Sequence, residues 1–244
     1  MNVSVGTLRQ PVAAASPRQR DRLFFSGMAL AIAATVFAGF APTYYLRSAT
    51  LGPLPTLIAI HGALFTLWIL VFVTQTSLIA ARRVALHRML GAAAVALMAA
   101  MVVAGWLAAV HSLRRGFAPP GAPSPLAFFI VPVSDLVLFV ALAAAGLWFR
   151  RRPELHKRLM LLAAIGLLPP AIARVVRETG GGTLLFFGLT DLFVVACFAY
   201  DRLTRGRIHP AFLWGGLALI LSQPLRMVIA RTPQWLAFAE WAAR

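Results

Sequence analysis

Long apolar runs separated by short polar segments dominate the chain. They cover residues 23–41, 57–81, 89–110, 126–148, 159–173, 183–200 and 211–229. A helix rises about 1.5 Å per residue, so roughly 20 apolar residues cross the ~30 Å hydrocarbon layer of a bilayer. Six runs come close to that length. The fifth is shorter and contains Pro169-Pro170. The pattern predicts an all-α polytopic membrane bundle of seven transmembrane helices. Were the fifth run not to span, the last two helices would be inverted.

The boundaries carry helix-breaking chemistry. Pro53 and Pro55 precede the second run, "FAPPGAPSPL" lies between the third and fourth, and "ETGGG" precedes the sixth. Pro210 opens the seventh, at a first-turn position where a missing N–H costs nothing. The loops are short and leave no room for a soluble domain. The expected organisation is a cytoplasmic basic tail over 1–22, a membrane domain over 23–230 and an interfacial segment over 231–244. In that last segment Trp235 and Trp241 suit a helix lying at the membrane surface. The first run has a basic flank, but both are long for a cleaved signal, so it reads as a retained span.

Charge fixes the expected orientation. The chain has 23 Lys+Arg against 7 Asp+Glu, a formal +16. The arginines punctuate apolar runs and form no single basic face, which argues against nucleic acid as a partner. The N-terminal tail and the loops after the second, fourth and sixth runs hold fifteen of the positive residues, and the other side eight. Short loops rich in Lys and Arg stay inside. The N-terminus is therefore expected in the cytoplasm, the chain in a bacterial inner membrane, and the lipid bilayer as its first partner. In the third run Ala92, Ala96, Ala100, Ala104 and Ala108 form a smooth stripe that would let a neighbouring helix approach closely.

Polar residues inside apolar runs are costly and usually face the bundle interior. His61, Asp135 and Asp191 all fall in the outer halves of their runs, and Arg174 and Arg226 approach that layer from the other direction. Gln75 and Trp68 share the His61 face closer to the cytoplasm. Pro169, Pro170 and Pro224 free backbone carbonyls nearby, a break tolerated where the chain lines a cavity. These residues predict an internal polar layer in which Asp191 pairs with Arg174, Arg226 or His61. The layer would bind a small polar or anionic ligand or exchange protons; the competing reading is a set of ion pairs that fix helix register.

His87, His156 and His209 each open a helix that starts inside. Three imidazoles would hold zinc, and two on facing helices would ligate a b-type haem, with His61 and His111 as another pair. No phosphate-cradling glycine loop, HExxH, GxSxG or CxxC is present, and the lone Cys197 makes neither an internal disulfide nor a cysteine zinc site.

The segments "HGALFTLWILVFVTQTSLIAARR", "LHRMLG", "LHKRLMLL", "LLPPAIAR", "FFGLTDLF" and "RIHPAFLWGG" together resemble a group of uncharacterised bacterial multi-span membrane proteins, over residues 44–235. The resemblance implies the helical membrane fold and carries over no catalytic residues. The functional expectation is a proton-coupled or small-molecule transporter or sensor, with oligomerisation compensating for its small size. The alternatives are a b-haem or quinone-linked redox protein and a metal-dependent membrane hydrolase.

Overall fold

The computed structural model describes residues 16–180 and 182–244, so most of the basic tail expected over 1–22 lies outside the described residues. The described residues form α1 (Pro17–Phe40), α2 (Thr56–Ala80), α3 (Val84–Arg114), the short α4 (Pro125–Phe128), α5 (Ile130–Trp148), α6 (Pro153–Ile165), α7 (Pro169–Glu178), α8 (Thr183–Arg205), α9 (Pro210–Ile229) and α10 (Pro233–Ala243). A π-helical turn, Ala41–Tyr45, extends α1. Helices α1, α4, α6, α7, α9 and α10 all open on proline, whose fixed φ suits a first turn and whose missing N–H would be unpaired there anyway. Side chains cap four of these starts: Ser16 accepts from Gln19 N–H, Ser124 from Ala127 N–H, His209 from Ala211 N–H and Thr232 from Trp235 N–H.

Six of the helices are long and apolar enough to cross a membrane, and seven crossings result if α6 and α7 count as one broken span. These two are bent by 42° at a break of three residues, Gly166–Leu168. The fifth run of the sequence is thus two helices, and the second carries on through Arg174 to Glu178. Because the helices alternate in direction, the start of α1, the α2–α3 turn, the α5–α6 loop and the α8–α9 loop gather at one end, called here the N-terminal end; α4 and α10 sit at the far end.

Helix α6 occupies the centre. Leu161, Leu162, Ala163, Ala164 and Ile165 are all buried, and α1, α5, α8 and α9 surround it. From Leu159 onward α6 is apolar on every side, and such a segment belongs in that position. Helix α7 crosses α1 so closely that a Cβ on Gly39 would lie 2.8 Å from the Ala171 Cα. At the α6–α7 break, Gly166 faces Leu219 of α9 at 3.2 Å from its would-be Cβ. The alanine stripe of α3 is only half used. Ala104 and Ala108 are buried, whereas Ala92, Ala96 and Ala100 are exposed. Small residues permit close packing but supply no partner, and among the described residues no helix covers that face near the start of α3.

Helix α10 folds back onto the far end. Trp235 and Phe238 stack among Phe129 and Trp106, and the Trp235 indole donates to the Leu126 carbonyl at 3.0 Å. Trp241 is left exposed. The C-terminal segment is therefore a docked amphipathic helix.

Candidate functional site

The far half of the bundle gathers most of the polar residues singled out from the sequence, and α9 organises them. Its segment Ser222–Arg226 contains Pro224, which removes one ladder hydrogen bond and leaves the Ile220 carbonyl without its usual donor. On one side Arg226 reaches Asp135 of α5, Nη1 to Oδ1 at 2.8 Å, with both residues buried. The same guanidinium donates to Ser222, through Nη2 to the hydroxyl at 3.1 Å and through Nε to the carbonyl at 3.3 Å. Asp135 Oδ2 is buried and, among the described residues, accepts no hydrogen bond. On the other side Gln223 Nε2 donates to Asp191 Oδ1 of α8 at 2.6 Å.

The sequence pointed to a cation, Arg174, Arg226 or His61, beside Asp191. The structure gives it Gln223 instead. Arg226 projects from the next face of α9 and is consumed by Asp135. Arg174 lies 4.2 Å above the Phe40 ring and donates to its own helix at the Pro170 carbonyl, 2.8 Å away. His61 rests against Phe65, ring centroids 4.2 Å apart, and its Nδ1 is buried without a partner. Trp68 is core, edge-on to Phe139 at 5.3 Å. Gln75 belongs to another neighbourhood altogether: its amide nitrogen lies beside Gly91, one turn beyond His87 near the N-terminal end.

The three histidines of that end also separate. His87 and His156 lie with ring centroids 6.2 Å apart. His209 instead caps α9, its Nδ1 accepting from Ala211 N–H at 3.1 Å while its own backbone N–H donates to Asp201. Burial, reinforced by the Arg158 charge, holds the His209 imidazole below its usual pKa, consistent with a ring nitrogen that accepts. Among the described residues no three of His, Cys, Asp and Glu are placed to hold a metal. The zinc triad expected from the sequence does not assemble, because the α8–α9 loop turns His209 toward α6 and α8.

The N-terminal end holds a cluster that the sequence reading missed. Arg158 and Asp201 are both wholly buried and paired twice, Nε to Oδ2 at 3.0 Å and Nη2 to Oδ1 at 2.5 Å. Arg158 also reaches Glu154 at 2.6 Å, and Lys157 bridges Glu154 and Asp21 at 2.6 and 2.7 Å. Arg205 contacts Asp21, Glu154 and Asp201 at 3.1–3.3 Å, and the Tyr200 hydroxyl donates to Asp21. Three cations and three carboxylates thus tie α1, α6 and α8 together with balanced charge. Counting arginines for orientation treats Lys157, Arg158 and Arg205 as solvated loop charges. The available signal was that acids are scarce here, yet Asp21, Glu154 and Asp201 all sit beside the basic boundaries.

Comparison with protein families, with curated proteins and with solved structures finds no match to this chain.

Proposed function

We propose that the protein is a multi-pass membrane protein of the bacterial inner membrane, N-terminus inside, that moves or senses protons together with a small polar or anionic solute through the Asp135–Arg226 layer. The observation that carries this reading is the placement of a buried, half-satisfied ion pair beside two interrupted helices. Gly166 at the α6–α7 break faces Leu219, one turn ahead of Ser222–Pro224, and Arg226 follows one turn later. Discontinuous helices near the bilayer midplane are where many secondary transporters place their sites, because freed backbone groups and a changeable angle are both useful there. Asp135 Oδ2 offers a lone pair inside protein, able to take a proton or a hydrogen bond from a solute. The excess of arginine at the N-terminal end supports the orientation.

A proton-flux assay tests the reading. Vesicles loaded with a pH-sensitive dye and reconstituted with the full chain are expected to acidify after an outside acid pulse. The double variant Asp135→Asn/Arg226→Gln removes both charges together and so avoids an unpaired buried ion. Its rate is expected to fall about tenfold, a change of ~1.4 kcal/mol in barrier. Equal rates for wild type, double variant and empty vesicles would remove this function.

A further inference from the structure

A second set of polar atoms at the N-terminal end is left over by the ion cluster. His87 stands in the first turn of α3 and His156 in the first turn of α6, with rings 6.2 Å apart and nearly perpendicular at 83°. His156 Nδ1 lies 2.8 Å from the Gly146 carbonyl. A carbonyl only accepts, so Nδ1 carries the proton, and in the neutral imidazole Nε2 is the atom that holds the lone pair. His87 has the complementary arrangement: its Nδ1 is buried without a partner, and the Gln75 backbone carbonyl faces the ring. The side-chain oxygen of Gln75 is likewise buried and unpartnered. Met160 lies one turn after His156, and its sulfur packs on Gly146, 2.8 Å from a would-be Cβ.

Each of these features suits a metal ligand. Ligating histidines commonly give their other N–H to a backbone carbonyl, which fixes tautomer and ring orientation. Two imidazoles bound to one metal at about 2.0 Å bring their centroids to roughly 5–6 Å of each other, close to the spacing seen here. Leaving a buried acceptor unpaired costs about 1–3 kcal/mol. His87 Nδ1 and Gln75 Oε1 are two such atoms at one end of the bundle, an expense that a bound ion would remove.

The donor set selects the ion. It contains imidazoles, a thioether and an amide oxygen, and no carboxylate or thiolate. Arg88 adds positive charge next to His87. A dehydrated dication would find neither a counter-charge nor a full tetrahedral set. A soft monovalent ion needs only two or three neutral donors. We propose that His87 and His156, assisted by Met160 and Gln75, bind Cu(I) between α2, α3 and α6. This site is separate from the Asp135–Arg226 layer and does not depend on its function.

The test uses the full chain in detergent, reduced and free of oxygen, titrated with Cu(I) against a chromogenic Cu(I) chelator. One Cu(I) per chain is expected. His87→Ala and His156→Ala are each expected to weaken binding at least about 100-fold and Met160→Leu about tenfold, with His209→Ala unchanged. Gel filtration and circular dichroism of the metal-free variants check folding. X-ray absorption on the wild type, which needs no variant, should show two or three N/S neighbours. Failure of the wild type to bind Cu(I), displacement by equimolar Zn(II), a haem absorption band in the purified protein, or an equal loss in His209→Ala would each overturn the proposal.

Discussion

Replacing Arg158 with methionine is expected to destabilise the protein by about 3–5 kcal/mol, the cost of stranding a buried carboxylate. Asp201 is wholly buried, and Arg158 supplies two of its hydrogen bonds. Without the guanidinium, Asp201 keeps, among the described residues, the Arg205 Nε contact at 3.3 Å and the His209 N–H at 3.0 Å. Glu154 loses a partner as well, so the α6–α8 join should loosen first. The reverse change, Asp201→Leu, should cost a similar amount by leaving Arg158 with Glu154 alone. The double variant Arg158→Met/Asp201→Leu is expected to be clearly more stable than the sum of the two losses implies, because an apolar pair of similar volume removes both desolvation penalties. Thermal unfolding in detergent, followed by circular dichroism, measures all three. Strictly additive losses would show that the two groups are not coupled.

The second large effect is steric. Gly39→Val is expected to cost at least about 3 kcal/mol, beyond the ordinary range for an overpacked core. The reason is the nature of the neighbour. A Cβ at Gly39 meets the backbone of Ala171, with its carbonyl carbon and Cα both at 2.8 Å, and backbone cannot rotate out of the way. Helix α7 would have to lift from α1, carrying Arg174 off Phe40. Gly27 is the control on the same helix, since a Cβ there has nothing within 4 Å. Gly27→Ala should be neutral or stabilising by up to about 1 kcal/mol, because alanine is the better helix former. A comparable loss at both positions would mean that the α1–α7 crossing is not what governs Gly39.

The architecture was largely legible from the chain because its signals are local. Hydropathy over roughly 20 residues marks a helix of spanning length, and Pro210, read as a first-turn proline, does open a helix. Pro169-Pro170 announced a break in the fifth run, though the continuation through Arg174 to Glu178 was not readable. Its amphipathic, arginine-bearing sequence resembles a loop until α1 is there to cover it. The candidate residues were less legible. Asp135 and Arg226 were placed in one layer and do meet. Asp191 was placed in that layer too, but takes a neutral partner, Gln223, that stood one residue from Pro224 and drew no notice. His87, His156 and His209 share a level by helix position, yet only two approach each other.

The sequence alone determined the six long apolar helices, where most of them begin and end, and which residues are too polar to face lipid comfortably. Those properties depend on composition within a few turns of chain. Only the tertiary structure decided which polar groups satisfy one another. A helical side chain points outward at an angle set by its position, and its partner depends on how neighbouring helices rotate, tilt and break. That is why Arg158, which reads as one more loop arginine, lies at the buried centre of a charge-balanced cluster, while Arg174, which reads as a partner for an acid, rests on a phenylalanine.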